Sequence, residues 1–227
     1  KNTVLTAARS PYLVRKALVV LPKARLTVEP GAVIWFEKLG LIVKGELHVL
    51  GDQQAPVALS GLGATPWKGI FFDHSAGKNV LQHCSISGAQ YGLRAIASDL
   101  TMTHSRFWDN GWGMVVESGR ADVRRCLFRT SAKSGIAAKK AKLTLTESIV
   151  TENKAGGVLL ENAASTETSS MKIKYTNEIE ELATVWSERI SAKADELDLD
   201  RKWMALRLIE EDLWITETIT NSALLSR

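Results

Sequence analysis

NVLQHCSISGAQYGLRAIAS (residues 79–98) runs directly into DLTMTHSRFWDNGWGMVVES (99–118), GRADVRRCLFRTSAKSGIAAKK (119–140) and AKLTLTESIVTENKAGGVLLENA (141–163). The four segments are versions of one unit. Glycines mark the period: Gly69, Gly92, Gly113, Gly135 and Gly157 are separated by 23, 21, 22 and 22 residues, each just ahead of an apolar pair or triplet. A fixed internal period signals stacked identical units. Two helices per unit would need about 33 residues or more, and the dense leucine signature of horseshoe repeats is missing.

Within each unit the short apolar runs alternate as strands do: Val80, Cys84 and Ile86; Leu100, Met102, Ser105 and Phe107; Val123, Cys126 and Phe128; Leu143, Leu145, Ser148 and Val150. Short strands and sharp bends at a fixed period predict a solenoid of β-coils, each paired with the coils above and below at about 4.8 Å. Cys84, Ser105, Cys126 and Ser148 then share one inward column, and Ile86, Phe107, Phe128 and Val150 another. Ser85, Arg106, Leu127 and Ile149, between them, form an exposed, mixed column. Cys84 and Cys126 stand two coils apart, about 9 to 10 Å, which is beyond disulfide reach. Both are expected to be free, buried thiols.

The N-terminal third carries a family likeness. Pro11 to Val14, Leu26 to Gly31, Gly45 to Leu47 and Trp67 to Ile70 match a "Pro-Tyr-x-Val" start, a "Leu-Thr-x-Glu-Pro-Gly" turn, a "Gly-x-Leu" coil and a "Trp-x-Gly-Ile" step. With these the chain resembles right-handed parallel β-helix proteins of the pectate-lyase-like, carbohydrate-binding and sugar-hydrolase group, over roughly residues 10 to 163. The resemblance implies a mainly β, right-handed parallel β-helix solenoid of about seven coils. It also implies a cell-envelope or secreted location, in the periplasm or the exterior. Activity does not follow, because that group mixes enzymes with inert scaffolds.

Past Ala163 the period changes to that of a helix. Residues 164–175 have the composition of a linker, and 176–227 are expected to form a C-terminal α-helical segment that caps the solenoid or docks on another chain. Asn177 and Glu180 make a capping box, and Ile179, Leu182, Ala183, Trp186 and Ile190 follow helical spacing. A second helix is expected from near Asp200, with Trp203, Leu206, Ile209 and Leu213 on one stripe and Met204, Leu208, Ile215 and Ile219 on another. Charge divides the same way. Residues 1–163 hold 21 Lys and Arg against 12 Asp and Glu, and residues 164–227 hold 8 against 13, giving +9 and −5. A protein partner or self-association through the C-terminal helices, or an acidic polysaccharide on the basic solenoid, are the expected partners. Nucleic acid is not, since no nucleic-acid motif accompanies the charge. No apolar run approaches the roughly 20 residues of a transmembrane helix. The chain opens at Lys1 without a charged-then-apolar leader, so a processed or trimmed chain is expected.

No reaction is declared. The Asn-x-Asp, Asp-Asp, Gly-His-Gly and Arg-x-Lys patterns of pectin hydrolases of this fold do not occur, and Asp73, Asp99, Asp109 and Asp122 fall at different coil phases. His83 and His104 share a column continued by Arg125 and Glu147, a solvated ladder with no third metal ligand. Neither metal nor cofactor is expected. The binding candidates are aromatic: Trp108, Asp109, Asn110 and Trp112 at one bend, Tyr91 on the previous coil, and Arg106, Arg124 and Arg129 around them. The function expected is a non-catalytic β-helix scaffold or interaction module that binds polysaccharide or a protein partner. Its rival is a polysaccharide-active lyase or hydrolase.

Overall fold

Three seven-stranded parallel sheets wind through residues 3–161, and every coil gives each sheet one strand. The computed structural model describes residues 2–162, 177–192, 201 and 205. Sheet A begins at Thr3–Leu5 and ends at Lys142–Thr146, sheet B runs from Tyr12–Val14 to Ile149–Thr151, and sheet C from Leu18–Val20 to Val158–Glu161. Successive coils stack in register, so one column of the sequence becomes one ladder of side chains.

Alternation decides which ladders face inward. Ile34, Leu59, Ile86, Phe107 and Phe128 are all fully buried along sheet B. Leu41, Ile70, Leu93, Met114 and Ile136 do the same along sheet C. Each such side chain contributes about 1.5 to 3 kcal/mol on leaving water. Phe107 and Phe128 also stack, with centroids 4.8 Å apart and planes 14° from parallel. The column of Cys84, Ser105, Cys126 and Ser148 is buried as the spacing predicts, and both cysteines are free. One phase differs. Val80 is half-buried and points outward, in register with Thr101, while Leu81 takes the core position with Met102, Val123 and Leu145. The period-2 pleat permits no other outcome once Met102 faces in.

The glycine period has a steric cause. Where the chain enters sheet C, a Cβ on Gly40 would strike the carbonyl of Gly69, one on Gly69 the carbonyl of Tyr91, and one on Gly113 the carbonyl of Gly135. Backbones of adjacent coils close on one another here, and only glycine fits.

The bends between sheets are built by repeated polar side chains. At the corner from A to B, His83, His104, Arg125 and Glu147 adopt φ of 43°, 51°, 52° and 49°. A side chain in this left-handed region costs roughly 1 to 2 kcal/mol. Serines offset that cost: Ser105 Oγ accepts from the Cys84 amide at 3.3 Å, and Ser148 Oγ accepts from the Cys126 amide at 3.1 Å. At the corner from B to C, Asn110 accepts from the Ala89 amide and donates to the Ile86 carbonyl, and Asn153 does likewise for Ser131 and Phe128.

The chain divides into two compact units, residues 1–173 and 174–227. In the second unit α1 spans Asn177–Arg189, with Ala183 and Ile190 buried, as the helical spacing predicts. Leu182, placed on that stripe, is instead 49% exposed, as is Val185 at 50%. The capping side chains of Asn177 and Glu180 lie outside the described residues. Of the second expected helix, Arg201 and Ala205 are helical and both of its apolar stripes lie outside them. No helix among the described residues is long and apolar enough to cross a membrane.

Candidate functional site

The corner from A to B and the adjoining outer face of sheet B form an open groove of about 540 Å³. His83, His104, Arg125 and Glu147 line one side, and Arg106, Leu127 and Ile149 form the floor along the strands. The imidazoles of His83 and His104 stack at 4.6 Å with planes 6° apart, one coil above the other. Desolvation, then the charges of His83, Arg125 and Arg124, hold the His104 imidazole below its usual pKa, against the opposing pull of Glu147. The column therefore presents a neutral His104 ring, whose nitrogens exchange hydrogen bonds with hydroxyl groups, beside permanent cations.

Glu147 is the carboxylate in this lining, and it is occupied. Arg125 Nε donates to it at 2.5 Å and Arg124 at 3.2 Å, and these bonds hold its carboxyl below the usual range. Arg106 is exposed and has no ion pair among the described residues. Cys126 also touches the groove, but burial pushes its thiol up to about 11, and that of Cys84 to about 12, so neither is a nucleophile at neutral pH.

Trp108 stands on the same outer face, two residues beyond Arg106. It is 42% exposed, and its Nε1 donates to Ser85 Oγ of the previous coil at 2.9 Å, which lays the indole along the sheet. Its ladder neighbours are Ser87 and Arg129, and Arg129 pairs with Glu152 at 3.1 Å. Exposed indole, guanidinium and imidazole thus share one surface.

The other predicted residues are distributed differently. Asn110 is 3% exposed and spends its amide on the corner between sheets, so it is a structural residue and not a binding one. Asp109 is exposed at the same corner, with its amide bonded to Thr130. Beyond Asn110 the chain has turned onto sheet C. Trp112 and Tyr91 stack there with centroids 6.4 Å apart and planes 7° from parallel, on a different face from Trp108. Arg124 belongs to the corner with Glu147 rather than to the surroundings of Tyr91. The groove residues His83, His104, Arg125 and Glu147 were visible as one column of the repeat, yet as a solvated ladder only. What the spacing hides is the hollow that the corner leaves beside them.

Among the described residues no cluster of three or more His, Cys, Asp or Glu is arranged to hold a metal ion. Comparison with curated proteins gives no match, and neither does comparison with solved structures. A family model described as a right handed beta helix region matches residues 68–173. That match begins on the third coil and spans the repeats whose columns stack in three parallel sheets. The chain is therefore a right-handed parallel β-helix repeat protein.

Proposed function

We propose that this protein is a non-catalytic β-helix scaffold of the cell envelope or exterior that binds acidic polysaccharide along the outer face of sheet B. The fold supports a carbohydrate-related or scaffold-type protein in general terms. The observation that carries the finer reading is the groove of about 540 Å³ with Arg106, which has no ion pair among the described residues, on its floor and exposed Trp108 beside it. An indole laid along a sheet offers one face for stacking on a sugar ring, and a free guanidinium takes a carboxylate in bidentate fashion. Neutral imidazole suits hydroxyl groups. Binding is favoured over turnover because glycoside hydrolysis calls on a pair of carboxyl groups about 5 to 10 Å apart. The carboxylate lining the groove, Glu147, is committed to two arginines.

The test is calorimetry of the whole chain with a polyuronate and with an uncharged glucan. The polyuronate is expected to bind and to weaken with added salt, and the glucan to bind less well. Trp108→Ala and Arg106→Ala should each weaken binding about tenfold while leaving the melting temperature nearly unchanged. Absence of polyuronate binding, or an unfolded Trp108→Ala chain, overturns the assignment. Release of reducing or unsaturated ends from the polyuronate would make the protein an enzyme instead.

A further inference from the structure

Sheet C carries a second hollow, on a different face from the groove just described. It has a volume of about 250 Å³ and lies across the first to fourth coils. Its floor is bare backbone at Gly40 and Gly69, whose missing side chains the close approach of the coils enforces. One wall holds Leu39, Lys68 and Gln90, and the other Ile42, Phe71 and Arg94. Tyr91 stands at its upper end, at an irregularity in pairing where Gly92 is an extra residue against the neighbouring strand, and Ala17 lies at the lower end. Such bulges re-aim a side chain. The result is a slot one side-chain row wide between two walls.

The charges of the slot have one sign. Lys68 and Arg94 line it, and no carboxylate does. Lys68 Nζ donates to the neutral Gln90 Oε1 at 2.8 Å, so its charge is not cancelled. Arg94 gives Nε and Nη2 to Glu117 at 2.9 and 2.8 Å, leaving Nη1 without a partner among the described residues. That ion pair holds the guanidinium 5.9 Å from the Phe71 ring centre and 5.6 Å from that of Tyr91. Arginine is thus fixed over two aromatic rings with one nitrogen to spare. Apart from Gln90, the remaining side chains on the walls are apolar.

We propose that this slot binds a small aryl carboxylate, with its flat ring between Leu39, Ile42 and Phe71 and its carboxylate taken by Lys68 and Arg94. A narrow slot with a glycine floor admits a flat ring better than a branched chain. Lys68, whose charge no carboxylate cancels, selects an anion, and Arg94, although its charge is met by Glu117 outside the slot lining, has Nη1 left to donate to it. The volume lies below the roughly 300 to 1,000 Å³ of drug-sized sites, which restricts the occupant to a small molecule.

The experiment titrates the full chain with 2-naphthoate and with the uncharged 2-naphthamide, following backbone amide resonances. Naphthoate is expected to shift Gly40, Gly69 and Phe71 saturably, and naphthamide to bind about tenfold more weakly. Lys68→Gln should weaken naphthoate about tenfold and leave naphthamide unchanged. Ala17→Trp, at an exposed position, should block both ligands without affecting folding. No saturable shift up to about 5 mM naphthoate overturns the site. Shifts confined to other residues, or unchanged binding to the Ala17→Trp chain, also overturn it. Equal affinity of Lys68→Gln and the parent chain for naphthoate overturns the assignment of an anion. Polyuronate binding at sheet B is independent of all four outcomes.

Discussion

Ser131 is where the repeat departs from its own rule. In the column Ala89, Asn110, Ser131, Asn153, the two asparagines each accept from an amide one coil below and donate to a carbonyl there. Ser131 is fully buried and its hydroxyl is the one buried side-chain polar atom without a partner among the described residues. A buried group left unpaired costs about 1 to 3 kcal/mol. By the geometry of its neighbours, an asparagine at this position would accept from the Asn110 amide and donate to the Phe107 carbonyl. Ser131→Asn is therefore expected to raise stability by about 1 kcal/mol in denaturant melts. A variant less stable than the parent would show that the corner has no room for the longer side chain. The role of Asn110 itself was hidden in the sequence. Its place between Trp108 and Trp112 suggested a polar binding residue, and only the corner turned by the chain reveals an internal clamp.

At the level of elements, the columns were legible because parallel, in-register stacking converts a sequence period into adjacency in space. The stacked pair His83 and His104, the serine and cysteine ladder and the phenylalanine stack all follow from counting 21 or 22 residues. Val80 escaped because an apolar residue at an outward position mimics a core residue; counting back 21 from Met102 to Leu81 corrects it. Separation of Trp108 from Trp112 escaped for another reason, since four residues suffice to pass from one sheet to the next. The A-to-B corner also carries a pH dependence. The His104 pKa is held below its ordinary 6.5, so protonation favours the unfolded chain. That contribution is intact above pH 6.5 and is lost as pH falls below it toward the lower folded value. Glu147, also depressed, contributes above its ordinary 4.5 and loses that contribution only below it. The melting temperature should therefore fall between pH 7.5 and about 5, and His104→Gln should flatten that fall. An unchanged slope in His104→Gln would place its origin elsewhere.

A solenoid is a one-dimensional stack, and its ends are its weak points. The last coil presents Lys142–Thr146, Ile149–Thr151 and Val158–Glu161 as the terminal strands of sheets A, B and C. Its inward residues Leu143, Leu145, Val150 and Val158 are only partly buried, whereas Leu100, Met102, Phe107 and Met114 two coils earlier are buried. Leu159 and Leu160 are 43% and 56% exposed. Strand edges with no further strand beside them among the described residues, next to half-covered apolar side chains, are a template for pairing with another molecule. Residues 174–227 have a net charge opposite to that of residues 1–163, and the expectation that 176–227 cap the solenoid or dock on another chain is tested by removing them. A chain shortened to residues 1–162 is accordingly expected to associate end to end and to melt at a lower temperature. The isolated segment 174–227 should be poorly helical, because burial supplies most of the stability of a short helix. Light scattering and thermal melts decide the matter. A shortened chain that stays monomeric and as stable as the parent would rule out the capping expectation and favour its alternative, docking of the C-terminal segment, with exposed Leu182 and Val185, on a separate protein.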